Sequence, residues 1–294
     1  MDNVDKNILI KLFDLFEINK KYVDMVCEAK TNPEAFFNKY DELRDVFVYP
    51  SDKLYVGVIE EILEQNRKAL TLDWKADAFD IMKGLEHLDI IDKRDIIAMD
   101  LPSAIDKPMD GAFVCIIDYL KEYTDLSLII IANNLDDNTV ISIVPNDKLN
   151  CILECFRNCD INAFHYNIDY INDNMINTCE LEEEIDNGFD IVGREDGPNG
   201  ELSKIIIAEV KYCGTGRIKM TKTASGNQMS NEWVNNILFR MSTSEYQDTR
   251  NTAEMIFNNV EKLTTQVMVV LPNEETIKIE NAFSKLNKNN YFAN

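Results

Sequence analysis

Histidine is nearly missing from this sequence: His87 and His165 are the two in 294 residues. Nothing pairs either one with a nucleophile, so both read as structural and no imidazole-activated serine or cysteine is indicated. The seven cysteines form no Cys-x-x-Cys pair and have no histidine cluster near them, which argues against a zinc site or a disulfide framework. Cys151, Cys155 and Cys159 recur every four residues, on one helix face, and read as buried free thiols in a reducing compartment. No apolar run reaches the ~18 residues of a membrane span. The start, MDNVDKNILIKLFDLF, is acidic and amphipathic, without the basic segment and cleavage site of a signal peptide. These absences point to a cytoplasmic protein with no membrane partner; delivery by a secretion system is equally compatible with them. Internal repeats and long linkers are absent as well.

Basic residues are also short, at 30 Lys and Arg against 52 Asp and Glu, for a net charge of −22. Taken whole, such a chain is repelled by a phosphate backbone. The charge is uneven, however. Residues 203–294 hold eleven of the bases and nine of the acids, so this stretch is +2 and the remainder is −24. An asymmetry of that size marks two regions with different roles. A chain of 294 residues that is 45% hydrophobic has room for two domains with real cores.

What is present begins with helical periodicity. Ile8, Leu12, Leu15 and Phe16 give residues 5–30 an apolar stripe, and Asn32-Pro33-Glu34 reads as a helix start. Further helices are predicted at 33–45, 53–69, 76–88 and 111–124. The pattern then switches: LSLIIIANN (126–134) and NTVISIVP (138–145), separated by Asp136 and Asp137, predict a β-hairpin. NDKLNCILECFRN (146–158) predicts a helix capped by Asn146. Residues 1–166 are therefore expected to be an acidic α/β domain, mostly helical with a small antiparallel sheet. The stretches LDWKADAFDI (72–81) and IVPNDKL resemble an uncharacterised bacterial α/β family, which implies no function.

Residues 167–294 are expected to form a second domain. A helix rich in Asn and acid lies in 167–187. Phe189–Val192 predicts a strand, Asp196-Gly197-Pro198-Asn199-Gly200 a turn, and 203–212 a second strand. Helices follow at about 230–241 and 249–263, then a strand at 264–272 and a helix at 274–287. Strands interleaved with helices imply a mixed sheet flanked by helices, so the fold class is α/β (α+β).

The second strand, SKIIIAEVKY, poses a chemical question. It is a run of isoleucines that carries Glu209 and Lys211 two positions apart. Strand side chains alternate with period two, so these two charges share a face while Ala208 and Val210 are expected to point into the core. A hairpin would bring Asp190 alongside them. A solvated ion pair explains such a pattern too, at ~0.2–1 kcal/mol per exposed pair.

FDIVG (189–193), AEVKY (208–212) and KMTKTASGNQMSNEWV (219–234) together resemble a nuclease family of bacterial polymorphic toxins, within the broad PD-(D/E)xK phosphodiesterase class. About 50 residues carry the likeness. Gly193 stands where that family often has Tyr, Val210 replaces Ala, and 194–202 is a longer turn. The resemblance implies a restriction-endonuclease-like mixed sheet, with Asp190, Glu209, Lys211 and Gln228 as catalytic candidates. It implies Mg²⁺ or Mn²⁺ held by Asp190, Glu209 and a helix acid, Glu184 ahead of Glu183. Arg217, Lys219 and Lys222, with Thr221, Thr223 and Ser225, are expected to touch nucleic-acid phosphates. Trp233 is expected to pack into the core. The implied activity is metal-dependent hydrolysis of DNA or RNA by a toxin or effector-type enzyme, with a cognate immunity or partner protein. The competing expectation is a non-catalytic protein of nuclease fold whose acidic surface binds a basic partner.

Overall fold

The computed structural model describes residues 3–40, 43, 46–73, 76–101, 109–131, 135–167, 189–220, 222–223 and 226–280. Two compact units emerge. Among the described residues, those up to Asn167 form the first, joined by Gly214–Lys219, and Phe189–Cys213 with Met220–Glu280 form the second. The expected boundary at 166/167 therefore needs one correction: six residues from the second half of the sequence belong to the first unit.

The first unit holds α1 (Asn3–Leu15), α2 (Val23–Thr31), α3 (Pro33–Lys39), α4 (Leu54–Gln65), β1 (Leu70–Asp73), α5 (Ala78–Leu85), α6 (Lys93–Ala98), α7 (Met109–Tyr123), β2 (Leu126–Ile131), β3 (Asn138–Pro145), α8 (Asn146–Asn158) and β4 (Ala163–His165). Its sheet runs β1-β3-β2-β4, antiparallel throughout. The expected hairpin is its centre; β1 and β4 are additions to the expected pair. The isoleucine runs are explained by burial on both faces. Ile129, Ile131, Val140 and Val144 pack in one core with α1, α2, α4 and α8, through Leu12, Val26, Ile62 and Phe156. Leu128, Ile130, Ile141 and Ile143 pack in a second core with α5, α6 and α7, through Ile81, Ile96 and Ile116. Period-two alternation thus feeds two helical layers from one sheet.

Local chemistry sets the helix ends. Asn32 accepts a hydrogen bond from the Ala35 amide at 3.1 Å, with Pro33 in the first turn, as expected. Asp77 and Asp80 close a reciprocal cap on α5. Asn146 does not cap α8; its side-chain oxygen instead accepts from the Ser127 hydroxyl at 2.5 Å. All described cysteines are free thiols, with Cys155, Cys159 and Cys213 buried. The helix expected in 167–187 lies, beyond Asn167, outside the described residues. Among the described residues no helix is long and apolar enough to cross a membrane.

The second unit holds β5 (Ile191–Asp196), β6 (Leu202–Tyr212), β7 (Lys222–Thr223), β8 (Gly226–Asn227), α9 (Asn231–Ser242), α10 (Gln247–Phe257), β9 (Leu263–Val270) and β10 (Thr276–Glu280). Its four-stranded sheet runs β10-β9-β6-β5. β5 and β6 pair antiparallel across a turn in which Gly200 adopts φ +80°. β6 and β9 pair in parallel, and α9 and α10 supply the crossover such a pairing needs. The sheet is therefore mixed, as expected. The helix expected at 274–287 is corrected over its described part: Thr276–Glu280 pairs antiparallel with β9. The alternation Thr-Ile-Lys-Ile-Glu has period two and no helical stripe, so the strand signal was in the sequence.

Candidate active site

β6 is the longest strand of the second unit and lies inside its sheet, between β5 and β9. Ile205, Ile207, Glu209 and Lys211 share one face and are all buried, whereas the opposite face is more open, with Val210 half-buried and Tyr212 exposed. The expected orientation is thus corrected. Glu209 and Lys211 do share a face, but theirs is the more buried one. The register with β9 places Val267 beside Glu209 and Val269 beside Lys211, and both valines are fully buried.

Glu209 and Lys211 are only 2% and 3% exposed. Lys211 Nζ lies 3.4 Å from Glu209 Oε1. Gln228 is as deeply buried, and its Nε2 donates to the same Oε1 at 3.3 Å. Asp190 stands one residue before β5, next to the Ile191–Ala208 pair, which continues the ladder toward Glu209. Its side chain is exposed, and Oδ2 accepts the Val210 amide at 2.8 Å. Asp190 is thereby tied to the strand segment that carries Glu209 and Lys211. Gln228 reaches the same point from the other side of the sequence. The β7–β8 hairpin leads into it, and Ser230 caps α9 just after it by accepting from the Trp233 amide at 3.1 Å.

Three of the expected site residues therefore meet, Glu209, Lys211 and Gln228, and Asp190 is tied to the same strand through the Val210 amide. A buried carboxylate with an ammonium and a carboxamide beside it, and an exposed carboxylate one residue before the neighbouring strand, are the groups that can bind a hard cation, hold a phosphate oxygen and orient a water. Burying two charges among valines and isoleucines is costly: a hydrophobic pair of similar volume is often neutral or stabilising by ~1–4 kcal/mol relative to a buried ion pair. Charges kept in such a place are found both in sites built for chemistry and in structural ion pairs.

The remaining expected residues are placed elsewhere. Glu184, with Glu182 and Glu183, lies outside the described residues. Among the described residues there is no group of three or more His, Cys, Asp and Glu able to hold a metal. Lys222 sits on β7, paired with Asn227 in the hairpin that precedes Gln228. Trp233 is buried in the first turn of α9, as expected.

Arg217 and Lys219 require correction. Both belong to the first unit, where Arg217 is 4% exposed. Its Nε donates to Glu61 Oε2 at 2.9 Å, and its Nη2 lies 2.5 Å from Glu64 Oε2. Nη1 lies 3.5 Å from Glu60 Oε2, and Lys219 Nζ is 3.2 Å from Glu64 Oε1. These cations are committed to glutamates of α4 and are not available as a phosphate-contacting strip. Burial would lower the pKa of Arg217, but Glu61, Glu64 and Glu60 outweigh it and raise it further. Burial likewise pushes the Glu61 carboxyl up, yet the charges of Lys219 and Arg217 more than reverse this and hold it at about 2.

The surrounding geometry fits the guanidinium closely. Gly57 lets α4 approach, since a Cβ there would lie 2.9 Å from Arg217 Cβ. Gly216 adopts φ +83°, and a Cβ on it would collide with the Tyr49 carbonyl. Asp136 accepts from the Gly214 and Thr215 amides at 2.8 and 3.1 Å and from the Thr215 hydroxyl at 2.6 Å. The sequence carried a signal for this cluster. Glu60 and Glu61 interrupt the apolar helix LYVGVIEEIL, so buried cations had to come from somewhere.

No family model, curated protein or solved structure matches this chain. The motif resemblance accordingly rests on the residues themselves.

Proposed function

We propose that the protein is a metal-dependent nuclease of the cytoplasm, hydrolysing phosphodiester bonds of DNA or RNA in the manner of toxin or effector enzymes. The observation that carries this reading is the buried Glu209–Lys211 pair with Gln228 on Glu209 Oε1. It is supported by Asp190, fixed against the same strand by the Val210 amide.

The donor set fits Mg²⁺ or Mn²⁺. Carboxylates are hard oxygen ligands, and Mg²⁺ commonly takes only one or two of them, completing its shell with water and substrate phosphate. Asp190 and Glu209 would hold the ion. When bound, such an ion supplies Lewis acidity toward a phosphoryl oxygen and a lowered pKa for its water. Lys211 offsets the negative charge that grows on the phosphate, or orients the attacking water. Gln228 keeps the Glu209 carboxylate in one orientation by donating to Oε1. The Val210 amide does the same for Asp190. A strand inside the sheet holds these groups at fixed separation better than a loop does.

One observation favours a second reading. With Arg217 and Lys219 bound to α4, fewer cations remain for nucleic acid, and a non-catalytic protein that binds a basic partner gains ground.

The test is cleavage of plasmid, single-stranded DNA, total RNA and tRNA by the full chain, with Mg²⁺, with Mn²⁺ and with chelator. At least one substrate is cut only with metal, and Glu209→Gln lowers the rate by about 10²–10³-fold. A folded protein inert in every arm sinks the proposal. Retention of a basic partner at low salt, independent of Glu209, would then support the second reading.

A further inference from the structure

Six described residues other than glycine have positive φ: Glu17, Arg67, Asp100, Asp160, Met229 and Glu274. Five are charged and exposed. Four of those follow helices, where a left-handed residue ordinarily ends the last turn. After α1, α4 and α8 the accompanying bond runs five residues back: Ile18 to Phe13, Lys68 to Leu63, Ile161 to Phe156. Met229 is different. It is apolar, 2% exposed, and sits at φ +62° in a turn that starts a helix. A bulky side chain in this region is a true outlier that persists only where its surroundings enforce it.

The Ser230 amide donates to the Asn227 carbonyl at 2.9 Å, closing a four-residue turn with Met229 at its third position. Asn227 is pinned by β8, and Ser230 by its cap on α9. Trp233, in the first turn of α9, packs edge-on against Phe189, with ring centroids 5.6 Å apart. Phe189 is the neighbour of Asp190. The turn therefore has fixed ends, and the residue at its second position is Gln228, whose amide reaches Glu209.

We propose that Met229 is a positioning residue: its left-handed backbone aims Gln228 at Glu209 and so fixes the carboxylate that does the work. This rests on the nuclease reading for its functional consequence, but the positioning itself does not need that reading. A β-branched residue cannot adopt this conformation cheaply, whereas glycine can. Met229→Val and Met229→Gly both remove the buried thioether, and only valine resists the backbone.

The experiment places Gln228→Ala on the wild-type, Met229→Val and Met229→Gly chains and measures denaturant midpoints and, for the substrate that is cut, kcat and KM. In the wild-type and Met229→Gly backgrounds, Gln228→Ala lowers the midpoint. In the Met229→Val background it changes nothing, because the contact is already lost. On cleavage, Met229→Val lowers kcat about tenfold with KM retained, in the range for residues that hold a reacting group. Adding Gln228→Ala brings no further loss, and Met229→Gly recovers most of the rate.

An equal midpoint change on all three backgrounds overturns the inference, as does additive loss of kcat. A wild-type chain that cuts nothing removes the nuclease reading, and the midpoints alone then decide the role of Met229. Should Met229→Val fail to fold, Met229→Thr, also β-branched but smaller, takes its place in the same cycle.

Discussion

Arg217 in the first unit and Lys211 in the second are both cations buried beside glutamates, yet the two clusters are built differently. Arg217 draws on Glu60, Glu61 and Glu64, with contacts from 2.5 to 3.5 Å and Thr71 close by. Such a fork of donors matched to several carboxylates is what a guanidinium does best when its purpose is to hold structure. Lys211 is a single point charge 3.4 Å from one glutamate oxygen, which Gln228 meets at 3.3 Å. These separations are long for charge-assisted hydrogen bonds, which cluster near ~2.7–2.9 Å. One cluster is closed tight around its cation. The other holds its charges at looser separations. Burial alone therefore does not distinguish the two clusters; the number and shortness of their contacts do.

If that distinction holds, breaking the first cluster should cost fold. Arg217→Met removes the guanidinium from three glutamates, two of them buried, and leaves Lys219 as the nearby cation. Removing one partner of a buried pair costs about 3–5 kcal/mol, so a large drop in the denaturant midpoint is expected. A change below about 1 kcal/mol, the size of an exposed pair, would show that the cluster is solvated and would erase the contrast.

Acid should loosen the same cluster. Glu61 is held near 2, below its ordinary 4.5, so its carboxylate favours the folded state above pH 4.5. That contribution fades as pH falls from 4.5 toward about 2. Difference curves between wild type and Glu61→Gln should therefore converge across this window in thermal melts. Curves that stay parallel down to pH 2 would mean that Glu61 is not held low.

How much of this was readable beforehand follows from the residues. The hairpin of the first unit, most helices and the parallel strand at 263–270 announce themselves through periodicity and turn residues. The shared face of Glu209 and Lys211 and the placing of Asp190 beside their strand were also legible from period two and a hairpin, whereas Gln228 came from the motif resemblance. Three things were not. The burial of Glu209 and Lys211 depends on β9 laying Val267 and Val269 beside them, a pairing across more than fifty residues. The fate of Arg217 and Lys219 depends on α4, some 150 positions away, and local sequence makes an RIKMTK stretch look like an open basic loop. The left-handed backbone of Met229 had no glycine or asparagine to betray it. In each case the deciding partner is distant in sequence, which is where local rules run out.

The most direct test of the central claim replaces the second cluster without unbalancing it. Glu209→Gln with Lys211→Met removes both charges, keeps an oxygen for Gln228 to meet and fills the space with an apolar chain. If these charges serve chemistry, the double variant folds with unchanged or raised stability, as buried pairs replaced by neutral groups often do, and metal-dependent cleavage disappears. A double variant that still cuts nucleic acid at the wild-type rate, or that loses its fold as Arg217→Met does, would contradict the account.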